Sequence, residues 1–210
     1  MEKAKRFILV IISVLLVIPV INSCKKGDED PSLSFYSRKH RLCQDWGFSF
    51  YKRVEQHNDT ITSYEFDGSS FVKVFGSKSY ISSATMEISF DKDGNYVWNE
   101  YISTDTSTFT YKEEGSWYFS GGGKDSDTKY KELLILQQNK ISQTLQIGSS
   151  TTTTSYIATG NLKSTVFKIL KLASDEVKLK SVTETDNIQS NTTTTNLNIL
   201  SIEINLKKNL

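Results

Sequence analysis

Proline, cysteine and histidine are nearly missing from this chain, which holds two of each among 210 residues. With only Cys24 and Cys43, a disulfide scaffold is excluded. His40 and His57 have no His-x-His or Cys-x-x-Cys partner spacing, so no zinc motif and no nucleophile–base pattern stands out. Beyond residue 21 no apolar run approaches the roughly 20 residues of a membrane-spanning helix. An excess of one charge is lacking too. Twenty-five basic and 24 acidic residues leave a net charge of +1, no electrostatic footprint for nucleic acid. These absences point away from an enzyme, and no metal or cofactor is expected.

What is present begins at the N-terminus. Lys3, Lys5 and Arg6 stand against Glu2, and Phe7 to Ile21 is apolar except for Ser13 and Pro19. That run is short for a permanent span and fits an export signal. It closes on Ile21-Asn22-Ser23-Cys24: an aliphatic residue, two spacers with a small one last, then cysteine. This resembles the lipobox of bacterial lipoproteins, with Asn22 a less usual occupant of its position. The resemblance implies a signal peptide over 1–23, acylation of Cys24 as the new N-terminus, and a charged tether over 24–36. Each buried acyl CH₂ contributes about 0.8 kcal/mol, so the two or three chains of a lipoprotein would anchor the protein durably.

Lys25, where the resembled Gram-negative lipoproteins use Asp for inner-membrane retention, implies sorting to the outer membrane. The tract Lys25-Lys26-Gly27-Asp28-Glu29-Asp30 is similar to the short acidic signal with which some of these bacteria display lipoproteins on the cell surface. It reads equally as a solvated tether. Cleavage before Cys24 removes 23 of the 210 residues, leaves 187 and takes the net charge from +1 to −1. That length suits one domain, 37–210, with a real core. Cys43, left without a partner, reads as a small buried hydrophobe.

After the tether the chain reads as β almost throughout, with Pro31 its single proline. Trp46, Phe48 and Phe50 alternate on one face of a first strand, with Gly47, Ser49 and Tyr51 on the other. Ile61, Tyr64 and Phe66 belong to a second strand ending at Asp67-Gly68, and Phe71 to Phe75 forms a third. Met86, Ile88 and Phe90 alternate into Asp91-Lys92-Asp93-Gly94-Asn95, and Tyr96 and Trp98 alternate out, a hairpin. Further strands are expected at 107–112, 116–119, 130–137, 141–147, 153–159, 165–172, 177–183 and 196–206. Glu113-Glu114-Gly115, Gly121-Gly122-Gly123 and Ser174-Asp175 read as turns between them. The runs Thr151–Thr154 and Thr192–Thr195 read as entries into strands, and a helical turn is expected over Ser37–Gln44. The pattern predicts an all-β protein, an antiparallel barrel or a β-sandwich.

Motif-like stretches resolve into turns. An EF-hand loop needs Gly at its sixth position, but in the loop opened by Asp91 that place is Tyr96. A P-loop reading of Gly121-Gly122-Gly123-Lys124 fails because Tyr118 and Asp125 stand where Gly and Ser or Thr are required. Asp59-Thr60-Ile61 resembles a bacterial O-glycosylation sequon and reads also as the start of a strand.

Together, Leu42-Cys43-Gln44-Asp45-Trp46, the Phe90-Asp91-Lys92-Asp93-Gly94-Asn95-Tyr96 hairpin, Gly115-Ser116-Trp117-Tyr118, and the pair Phe167–Leu172 and Val177–Leu179 resemble the lipocalin-like domain of bacterial lipoproteins. The chain departs from true lipocalins in carrying Gly-x-Trp in mid-chain and not on the first strand. The resemblance implies a closed antiparallel barrel and a non-catalytic binder of a small apolar molecule. Trp46, Phe48, Phe50, Phe66, Phe90, Tyr96, Trp98 and Trp117 are the candidate cavity or core lining; side chains of this bulk could also fill the barrel. The alternative is a surface module for glycan or protein partners. The anchor has a direct test: Cys24→Ala abolishes metabolic labelling with a fatty acid, and labelling that persists refutes lipidation at this residue.

Overall fold

The computed structural model describes residues 29–30, 34, 36–57, 59–121, 132–157, 163–181, 184–190 and 193–208. Cys24, the apolar N-terminal run, Gly122-Gly123 and Tyr130 lie outside them. Among the described residues no helix is long and apolar enough to cross a membrane.

One short helix, α1 (Arg38–Leu42), precedes twelve strands. These are β1 (Asp45–His57), β2 (Thr60–Phe66), β3 (Ser70–Phe75), β4 (Lys78–Phe90), β5 (Asn95–Ser103) and β6 (Ser107–Ser120). Then follow β7 (Leu133–Ile147), β8 (Ser150–Ile157), β9 (Ser164–Leu172), β10 (Glu176–Ser181), β11 (Glu184–Ser190) and β12 (Thr193–Lys208). Ser37 caps α1, its hydroxyl accepting from the His40 N–H at 3.1 Å. The protein is all-β and antiparallel.

All strands belong to one sheet, and pairing of β1 with β12 joins its ends into a barrel-like ring. The ring is not the same width throughout. At one end, Asp45–Gly47 of β1 pairs directly with Glu87–Ser89 of β4, so β1, β4, β5, β6, β7, β9, β10 and β12 close a circuit of eight strands. Further along β1, Tyr51–His57 pairs instead with β2, and the β2–β3 hairpin is inserted between β1 and β4. A ring of about eight strands is just wide enough for side chains to fill; two more strands open it.

The narrow end is packed solid. Trp46 is 0% exposed and its indole N–H donates to the Leu42 carbonyl at 2.9 Å, tying α1 across that end. Leu134, Leu172, Val177 and Leu206 complete the layer, all buried. Phe90 meets Trp117 edge-on at 5.8 Å between centroids, and Trp117 meets Phe119 at 5.4 Å. The tether docks here too. The buried Asp30 carboxylate accepts from the Leu172 N–H at 2.6 Å and pairs with buried Arg38.

Two expected turns are not turns. β6 runs unbroken through Glu113-Glu114-Gly115, and β7 is one strand where two were expected. Each place carries a bulge instead, because the β6–β7 register slips between Glu114 and Gly115, leaving Asn139 unpaired. Gly115 is there for space: a Cβ would lie 2.2 Å from the Gln137 carbonyl and 2.6 Å from the Tyr96 ring. Thr151–Thr154 lies inside β8, not ahead of it. The Asp91–Asn95 hairpin turn is as expected. Asp91 accepts from the Asn95 N–H at 2.8 Å and Gly94 takes φ 92°.

Gly115→Ala forces that contact apart, and overpacking of this kind costs roughly 1–3 kcal/mol. A lowered urea midpoint with native circular dichroism is the expected outcome; an unchanged midpoint means that the sheet yields at no cost.

Candidate functional site

The wide end encloses a cavity of about 570 Å³, within the range of small-molecule sites. Its lining comes from β1, β2, β3, β5, β6, β7, β9 and β12, with Lys163 just ahead of β9. No pairing among the described residues joins β8 to β11, which are both edges of the sheet, so the wall of this end is interrupted between them.

A bulge decides what β1 contributes. The β1–β12 register slips between Phe48 and Phe50, and one extra residue reverses which side chains point inward. Trp46 and Phe48 face the core, and from there the inward set is Tyr51, Arg53 and Glu55. The alternation Trp46, Phe48, Phe50 therefore ends at Phe48. Phe50 is half-buried outside the core cluster, and Tyr51 takes the inner place.

The other candidate residues divide by height. Trp46, Phe66, Phe90, Tyr96 and Trp117 are buried in the packed core. Trp98 alone of the eight candidates borders the cavity, tilted against Phe48 at 4.8 Å between centroids and edge-on at 5.9 Å to Tyr51. Phe48 and Trp98 thus form the boundary between packed core and open space.

The cavity is far more polar than the aromatic count suggests. Glu113 on β6 accepts from the Tyr96 hydroxyl at 2.5 Å, from the Tyr111 hydroxyl, and from the Gln138 amide at 2.6 Å. Burial, then the Glu113 charge, pushes both tyrosines well above their ordinary pKa, so they remain donors. Arg53 pairs with Glu55 two residues along the same strand. Across the sheet Arg53 stands opposite Tyr64, and Tyr64 opposite Lys73, whose ammonium lies 5.6 Å from the Tyr64 ring centre.

Glu100 is the exception. It follows Tyr96 and Trp98 on the inner face of β5. Burial pushes its pKa up to about 7, against smaller opposing effects from the Trp98 indole N–H and the Arg53 guanidinium, with Glu113 adding to the rise. The Trp98 N–H is itself buried and completes no hydrogen bond.

Of the remaining reactive candidates, half-buried Cys43 donates its Sγ–H to the Asp91 carbonyl at 3.1 Å, and burial raises its pKa. His40 stacks on Tyr36 at 4.6 Å. Neither touches the cavity. The side chain of His57 lies outside the described residues.

Compared with known families, with curated proteins and with solved structures, this chain has no match.

The Glu100 shift has a signed consequence for stability. Its pKa rises from an ordinary 4.5 to about 7 on folding, so the native state holds a proton that the unfolded chain has already released between those values. Stability contributed by this group is complete below pH 4.5, falls as the pH passes from there to 7, and levels off above, a loss of about 3 kcal/mol. Chemical denaturation of wild type and Glu100→Gln at pH 5 and pH 8 checks it. The variant gains on wild type at pH 8; an equal difference at both pH values contradicts the shift.

Proposed function

We propose that this protein is a lipid-anchored, non-catalytic binder of a small ligand held in the wide end of a lipocalin-like barrel. The observation that carries the reading is the cavity of about 570 Å³ beside a solidly packed half. A ring filled end to end would have pointed to a surface function instead. The lining pairs rings with carboxyl groups, which favours a ligand with an apolar body and a polar group over a plain hydrocarbon. A binding role suits the partners of the described lining carboxyl groups: Glu113 accepts from two tyrosine hydroxyls and an amide, and Glu55 pairs with Arg53.

The anchoring part rests on the N-terminal sequence, and the tether adds to it. Glu29 donates its N–H to the Leu170 carbonyl at 2.8 Å, and Asp30 is buried against Leu172 at the narrow end. Cys24 stands five residues before Glu29, a reach of about 18 Å at most. An acylated Cys24 would keep the narrow end near an outer-membrane surface and turn the cavity away from it. That orientation leaves the cavity accessible.

A second reading has its own support. Phe75, Tyr80 and Ile81 around the β3–β4 turn, and Ile147 at the β7–β8 turn, are exposed at the wide end. Aromatic rings at such a rim suit contact with a glycan or a protein partner.

Native mass spectrometry of the protein extracted from its host separates the readings. An adduct of roughly a few hundred daltons, the mass a site of this size accommodates, lost on denaturation, is expected. Gently extracted protein with no dissociable adduct beyond its covalent acyl groups moves the function to the rim.

A further inference from the structure

We infer that the cavity selects a cationic ligand, an amine carried on an apolar body, with the Glu100 carboxylate as the group that receives the ammonium. This rests on the binding role proposed above and names its ligand class.

The argument is one of satisfaction. Of the carboxylates in the cavity, Glu55 is engaged by Arg53 and Glu113 by three donors, two hydroxyls and an amide. Among the described residues no hydroxyl, amide or cationic side chain hydrogen-bonds Glu100. The single donor turned towards it, the Trp98 indole, does not complete a bond. A carboxyl lining a cavity with no completed hydrogen bond carries a desolvation cost that the Trp98 N–H and the Arg53 guanidinium offset only in part. A ligand ammonium would offset it.

The surrounding groups favour a cation over other donors. From β1, Arg53 and Tyr51 interact electrostatically with Glu100; Glu55 on β1, Tyr64 on β2 and Lys73 on β3 line the same cavity. On β6 it has Tyr111 directly opposite and Glu113 diagonally across. The cations among these are committed: Arg53 to Glu55, Lys163 to a partner of its own, and Lys73 to the Tyr64 ring, where it is exposed. What remains beside Glu100 is negative or aromatic. Trp98, Tyr51 and Tyr111 line the same cavity, and rings attract an ammonium as well as an apolar body. An anionic ligand would meet the carboxyl groups of Glu100 and Glu113, with the Arg53 guanidinium already paired with Glu55.

The charge accounting is simple. At neutral pH Glu100 is partly protonated, and an entering ammonium displaces that proton to solvent, so binding releases up to one proton per ligand. Affinity for an amine therefore rises with pH until Glu100 is fully ionised.

Calorimetric titration with two matched series tests this: 2-phenylethylamine, 2-phenylethanol and 3-phenylpropionate, then the octyl amine, alcohol and acid. The amine of at least one series is expected to bind at least tenfold more tightly than its alcohol at pH 8, with about tenfold weaker binding at pH 6. Glu100→Gln should erase the preference while the alcohol still binds. An alcohol or acid that binds as tightly as its amine, or an amine affinity flat from pH 6 to 8, overturns the cationic class and leaves the cavity reading standing. If no member of either series binds, the cavity reading falls with it. The wild-type pH profile decides even where the variant does not fold.

Discussion

Everything in this molecule depends on β1 having two different neighbours along one edge. Its first residues pair with β4, its later ones with β2, while its other edge pairs with β12 throughout. That change of partner sets the circumference of the ring. Where β4 is the neighbour, the circuit is short and side chains close it; where β2 and β3 intervene, the circuit is longer and side chains of the same size leave space. The turn at Asp67-Gly68-Ser69 marks the boundary. The Asp67 carboxylate accepts from the Ser69 and Ser70 N–H groups, and Gly68 adopts φ 103°, where a Cβ would lie 3.6 Å from the Ser49 carbonyl oxygen.

Two bulges then decide the chemistry of that space. Without the slip beside Ser49, strict alternation from Trp46 would carry Phe50, Lys52 and Val54 inward and leave Arg53 and Glu55 in solvent. Without the slip at Asn139, alternation from Leu134 and Leu136 would carry Lys140 inward in place of Ile141. Both bulges lie where the ring passes from filled to hollow. The polar interior is a product of register, not of composition.

Two of the interior carboxyl groups, Glu100 and Glu113, illustrate how one environment produces two behaviours. They lie on adjacent strands and share the same rings. Glu113 meets three donors, so its charge is compensated within the protein. Glu100 meets none that bonds it, and burial dominates. A buried polar group without a partner is a cost to folding, tolerated where something outside the chain can meet it. At the other end the buried Asp30 carboxylate does find partners, the Arg38 guanidinium and the Leu172 N–H, and these fix residues 29–30 to the ring.

How much of this was legible beforehand follows from the same physics. Strand content, the Met86–Trp98 hairpin, the helical turn within Ser37–Gln44 and much of the aromatic core were readable, because alternation and turn residues are local properties that depend on a few neighbouring side chains. Glu100 was readable in principle, two residues beyond Trp98 on an established face, as was Glu113 between Tyr111 and Trp117. The Glu-Glu-Gly stretch hid Glu113, because charge and glycine in sequence look like a turn. Arg53 and Glu55 were not readable, since a bulge is set by the partner strand, and β12 lies some 150 residues away. The sequence by itself determined an antiparallel all-β chain with one strongly alternating hairpin. Only the tertiary structure decided that the ring is full at one end and hollow and charged at the other, because circumference and inward register depend on which distant strand lies alongside.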